Sequence, residues 1–157
     1  MIKCNLFEID IKLVGSQLTF TCTTDLPKGT IINWSVERSY LDIDNEECLW
    51  ILGDGRVKTF ATESGKSSVV ANLDLVEGDR IAFERFKEID SESFDTMKNT
   101  LSAKVFVSCV VGGRQQNRDF GKNNQNLSGK FCREFGSLKA VEEKVEFKHV
   151  VAVASHW

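Results

Sequence analysis

LTFTCTT (18–24), IINWSVERSY (31–40) and AKVFVSCVV (103–111) are the three runs that decide the fold. Side chains alternate along a β-strand, so residues two apart share a face. In the first run Leu18, Phe20 and Cys22 lie on one side and threonines on the other. In the second, Ile32, Trp34 and Val36 oppose Asn33, Ser35 and Glu37. Both read as half-buried strands. In the third, Val105, Val107, Cys109 and Val111 share a face, but Phe106 and Val110 oppose them, the mark of a more central strand. Between the first two runs lies Asp25-Leu26-Pro27-Lys28-Gly29-Thr30. Pro27 presets φ for a turn and Gly29 is free to take a positive φ.

The same rhythm continues on either side. Residues 2–14 alternate loosely, as one strand or two short ones, and Gly15-Ser16 turns the chain into the first run. CLWIL (48–52) and RVKTFAT (56–62) flank Gly53-Asp54-Gly55, a hairpin signal. SSVVANLDL (67–75) and RIAFERF (80–86) follow, each after a glycine turn. Phe94, Met97 and Leu101 fall near one helical face behind the capping candidates of 88–91, which predicts a short helix over 91–100. From Val141 to Ser155, Val141, Val145, Phe147, Val151 and Val153 alternate with charged residues as a last long strand. The expectation is one all-β domain over residues 1–157: an antiparallel β-sandwich with a short helical insert within 88–103 and a long late loop.

Size and composition set the outer bounds. The chain has 157 residues, enough for a real core, and carries 11 Phe but only 1 Pro. A net charge of -3 has no polybasic signature, so no nucleic-acid partner is expected. No run approaches a membrane span, and MIKCNLFEIDIKLVG lacks the apolar stretch of a signal peptide. The expected location is cytoplasmic. Five cysteines with no CxxC pair argue against a zinc site of ordinary spacing, and in a reducing compartment they stay thiols.

The late segment GGRQQNRDFGKNNQNLSGKFCREFGSLKA (112–140) breaks the strand rhythm. Loops this long in compact domains are uncommon and often functional. Its cations and amides, Arg114, Gln116, Arg118, Lys122, Lys130 and Arg133, are candidate binding residues for an anionic ligand. Phe120, Phe131 and Phe135 argue that it packs down. It is not a phosphate-binding P-loop: Gly129-Lys130 precedes Phe131, Gly121-Lys122 precedes Asn123, and neither pair has a glycine five residues earlier. Asp42-Ile43-Asp44-Asn45-Glu46-Glu47 lacks the glycine and flanking helices of a calcium loop and reads as a solvated turn. His149 has the parity of Phe147 and Val151, a core position, and neither histidine neighbours a nucleophile in sequence. No catalytic residue, metal site or cofactor is expected.

Cys22, Trp34 and Cys109, with the strand rhythm, resemble the immunoglobulin and fibronectin type III sandwiches, in which a strand tryptophan packs against two strand cysteines. The turn at 25–30 and FGKNNQNLSGKF (120–131) are similar to segments of uncharacterised bacterial single-domain proteins of that fold. The immunoglobulin resemblance departs at position 107, where valine replaces the corner tyrosine. The resemblance implies the fold and brings no catalytic residue. Three functions stand at this point. The first is a non-enzymatic protein-binding or assembly module, including an immunity-type inhibitor of a toxin. The second is a small anionic-ligand binder or enzyme using 112–135. The third is a secreted adhesion domain with a Cys22–Cys109 disulfide.

Overall fold

The computed structural model describes residues 1–52, 57–73, 84–85, 88–89, 97–112 and 116–149, with side chains omitted for 48–52 and 97–101. It is built mostly of β-strand. In chain order the strands are β1 (Ile2–Lys3), β2 (Phe7–Val14), β3 (Gln17–Thr24), β4 (Ile31–Asp42), β5 (Glu47–Leu52), β6 (Lys58–Ala61), β7 (Lys66–Asn72), β8 (Met97–Val111), β9 (Leu127–Ser128), β10 (Arg133–Phe135) and β11 (Leu138–Lys148). One sheet has the order β2-β3-β7. A second runs β10-β11-β8-β4-β5, with β6 also paired to β4, and β1 pairs with β9 in parallel.

The chain divides into two compact units. The first holds 1–34, 58–71 and 108–145. Its order starts at the β2–β3 hairpin, where Gly15 supplies φ +60° for a two-residue turn and the register runs without a bulge from Phe7–Thr24 to Val14–Gln17. Alternation on β3 buries Leu18, Phe20 and Cys22 completely. The Phe20 ring meets Trp34 of β4 edge-on at 5.2 Å and Phe60 of β6 at 6.2 Å, so aromatic packing joins strands of different sheets. The turn at 25–30 forms as its residues dictate. Gly29 takes φ +87°, and Pro27 O accepts from Thr30 N–H (3.1 Å), Thr30 Oγ1 (2.6 Å) and Thr62 Oγ1 (2.9 Å).

The second unit holds 35–57, 72–107 and 146–157. Here β4 is buried on both faces, contrary to the half-buried expectation: Ser35, Val36, Arg38, Ser39 and Tyr40 are all enclosed. In the strand order β4 is central, between β8 and the β5/β6 pair. Buried Arg38 donates from Nη1 to Leu73 O and from Nη2 to His149 O, each at 3.1 Å. His149 N–H in turn donates to Ala103 O at 2.8 Å.

Two local expectations change. CLWIL and the following run do not form a hairpin with each other. Both β5 and β6 run antiparallel to β4, pairing with Glu37–Leu41 and Ile31–Trp34 respectively, so they are two pieces of one return path. The hairpin turn lies instead at Asp42–Glu46, where Asn45 has φ 61°. The helix expected over 91–100 is strand from Met97 onward, and 91–96 lie outside the described residues. Helical spacing of three apolar residues is a weak signal beside a long β-run that two neighbouring strands can hydrogen-bond. Helical residues occur earlier, at Glu84-Arg85 and Glu88-Ile89. The central placement of 103–111 holds, with β8 between β11 and β4. The last strand ends at Lys148, and 150–157 lie outside the described residues. No described helix is long and apolar enough to cross a membrane.

Candidate functional site

The late segment packs down, as its phenylalanines require, and its amides do the fixing. Asn117 Oδ1 accepts from Asp119 N–H (2.9 Å) and caps a single 3-10 turn, Arg118–Phe120, that buries Phe120. Gly121 at φ 73° leads into a second turn, Lys122–Asn124, where Asn123 and Asn124 both take left-handed φ. Asn124 is fully buried, and its Nδ2 donates to Gly112 O and Lys139 O, both at 3.0 Å. That one side chain ties the beginning of the segment to its end. Asn126 Nδ2 donates to Asp119 O (3.0 Å), and Gln125 Nε2 donates to Ser137 O. Beyond it, β9 lies along β1, and Gly129 passes so close to Cys4 that an added Cβ would sit 2.6 Å from Cys4 O. Phe131 N–H donates to Cys4 O at 3.0 Å. The β10–β11 hairpin, turning at Gly136, closes the segment.

The sequence-predicted binding residues divide accordingly. Gln116 Oε1 accepts from Ile31 N–H (2.9 Å) while its Nε2 donates to Ile31 O (2.6 Å) and Gly112 O (3.2 Å), so its amide pairs with main chain as a strand would. Arg118, Lys122, Lys130 and Arg133 are exposed. Lys130 Nζ stands 5.6 Å from the Phe131 ring. Arg114 lies outside the described residues.

Of the described cysteines, Cys4, Cys22 and Cys109 point inward. Cys4, Cys22 and Cys109 are buried free thiols, and Cys132 is half-buried and free. Burial pushes the Cys4 thiol up to about 11 and Cys22 up to about 12, and raises Cys109 further. Thiols held this way are poor nucleophiles. Among the described residues no group of three His, Cys, Asp or Glu side chains is placed to hold a metal. The Asp42 carboxylate accepts from Asp44 N–H (2.8 Å) and Glu46 N–H (2.9 Å), the turn reading rather than a calcium loop.

Among the described residues two clefts stand out, one in each unit, and none of Arg118, Lys122, Lys130 or Arg133 lines either. The cleft of about 500 Å³ in the second unit is bounded by Leu41, Asn45, Glu46, Glu47, Ser102, Ala103, Lys104 and Lys148, a rim of both charges. Ser102 Oγ there accepts from Lys104 N–H at 3.1 Å. The cleft of about 370 Å³ in the first unit is different in character. It runs along β2 and is lined by Phe7, Glu8, Ile9 and Asp10, with Phe131, Glu143 and Val145 opposite. Its floor is apolar and its charged lining residues are all carboxylates. Sequence reasoning missed this groove because edge status is not written in a strand's own residues. One signal was present: Glu143 has the parity of Val141 and Val145, so a carboxylate points to the strand's apolar side. No protein family, no curated protein and no solved structure matches the chain.

Proposed function

We propose that the protein is a non-enzymatic protein-binding module on an immunoglobulin-like antiparallel β-sandwich. The contact of Phe20 with Trp34 and Phe60 supports two facing sheets in the first unit, and the Cys22, Trp34, Cys109 order supports the immunoglobulin type. The observation that carries the functional reading is where the polar groups go. Gln116, Asn124, Gln125 and Asn126 of the late segment bind main chain, the described thiols are buried or half-buried, and Ser102 Oγ in the cleft of the second unit accepts from main-chain N–H of Lys104. What the fold leaves available is an edge strand and an acidic groove beside it, which are recognition features.

An immunity-type inhibitor that neutralises a basic toxin in the cytoplasm is the version that fits the net charge of -3. Affinity capture with the full chain from its source cell, followed by size-exclusion chromatography, tests the reading. One stoichiometric protein partner is the expected result; a chain that elutes alone under all lysis conditions contradicts it. The exposure of Arg118, Lys122 and Arg133 favours a second reading, capture of an anionic ligand by 112–135. For that reading, joint replacement of Arg114 and Arg118 by Ala abolishes ligand binding. Adhesion through a Cys22–Cys109 disulfide has no such support, since both sulfurs are thiols here.

A further inference from the structure

We infer that the free edge of β2 is a strand-addition site for an extended segment in which apolar residues alternate with Lys or Arg. The inference rests on the protein-binding reading and names its surface and partner chemistry. β2 is terminal in its sheet, eight residues long, with no proline and no bulge. Proteins ordinarily blunt such edges by shortening, proline, bulges, charged side chains or a covering element, and of these β2 carries the charges of Glu8, Asp10 and Lys12. Among the described residues no strand lies on its outer side.

The hydrogen-bonding phase of that edge is fixed. Asp25 N–H donates to Leu6 O across the hairpin, and Thr24 N–H points the other way, to Gly65 O. Alternation along the strand then turns Glu8, Asp10, Lys12 and Val14 main-chain groups toward β3 and leaves those of Phe7, Ile9, Ile11 and Leu13 facing outward. An incoming strand meets the first two pairs of these groups within the 370 Å³ groove. Across the groove, β11 has a matching gap. β10 covers only Leu138–Ala140, so from Val141 onward β8 is the one strand beside β11 among the described residues.

The side-chain chemistry selects the occupant. Alternate residues of an added strand would point inward over Phe7, Ile9, Phe131 and Val145, which take apolar groups. The intervening residues would point outward beside exposed Glu8 and Asp10, which take Lys or Arg, and Glu143 adds a carboxylate on the inner side. A two-fold pairing of β2 with a second copy centred on Ile9 would set Glu8 against Asp10, whereas one centred on Ile11 would set Asp10 against Lys12, so a second copy is the competing occupant that the test below must separate.

Selection of phage-displayed random decapeptides on the full chain tests this. The expected winners alternate apolar residues with Lys or Arg, exclude proline, and bind the Glu8→Lys/Asp10→Lys variant at least about fivefold more weakly, as two surface charge pairs allow. The Glu8→Gln/Asp10→Gln variant, which removes charge without reversing it, falls between the two. No enrichment, winners lacking basic residues, or equal binding to the charge-reversed variant overturns the inference. So does a concentration-dependent dimer of the free chain that the same reversal abolishes. A captured cellular partner indifferent to both variants leaves the binding-module reading standing and removes this edge from it.

Discussion

At the scale of single residues the structure makes a pH prediction through its thiols. Burial raises Cys22 from an ordinary 9.0 to about 12 and Cys4 to about 11. An unfolded chain therefore loses these protons first as pH climbs. The stability they represent is complete below pH 9 and declines from there as pH rises through the folded values. Thermal unfolding followed from pH 8 to 11 should show a falling midpoint, with a flatter slope in Cys22→Ala; parallel slopes would contradict the burial account. In native labelling, half-buried Cys132 should react before Cys4, Cys22 and Cys109. Gly129 is the sharpest steric constraint. At φ 106° with Cys4 O 2.6 Å from any Cβ, Gly129→Ala should cost about 2 kcal/mol or more and speed labelling of Cys4. Denaturant titration with thiol labelling reads both. Trp34 is the core pin that its parity with Ile32 implied, 6% exposed and against Phe20.

At the scale of elements, legibility followed the strength of local signals. Gly15-Ser16 and the Pro27–Gly29 turn were readable because they demand particular φ values, and both formed where the residues placed them. Alternation located β3 and the buried face of β8 for the same reason. The pairing of β5 and β6 was not readable: the glycines at 53 and 55 resemble a hairpin turn, but partner choice depends on what β4 offers along its length. The basic, packed character of the late segment is legible in its cations and phenylalanines. Its internal logic, side-chain amides standing in for strand neighbours, depends on distances of many residues. Asn124→Ala removes both bonds that tie its ends and should cost about 2–3 kcal/mol. Gln116→Ala, which strips Ile31 of its N–H and C=O partners, should cost about 1–2 kcal/mol. Chemical denaturation of the two variants measures this. Losses near zero would mean the segment is dispensable to the fold.

At the scale of the whole molecule, function was the least legible layer. The unusual composition lies at Arg114, Gln116, Arg118, Lys122, Lys130 and Arg133. The groove instead draws on Glu8 and Asp10, ordinary residues of an ordinary strand, made available by topology. Edge status and groove depth arise from which strands stop short, which no local pattern encodes. We propose that this chain recognises protein through the open edge of β2. Residue-resolved amide hydrogen exchange, on the chain alone and bound to its captured partner, tests it most directly. Exchange should slow at Phe7, Ile9 and Ile11, whose amides face outward, with little change at Glu8 and Asp10, whose amides already face β3. Slowing confined to residues 116–135, with the β2 amides unchanged, would contradict it.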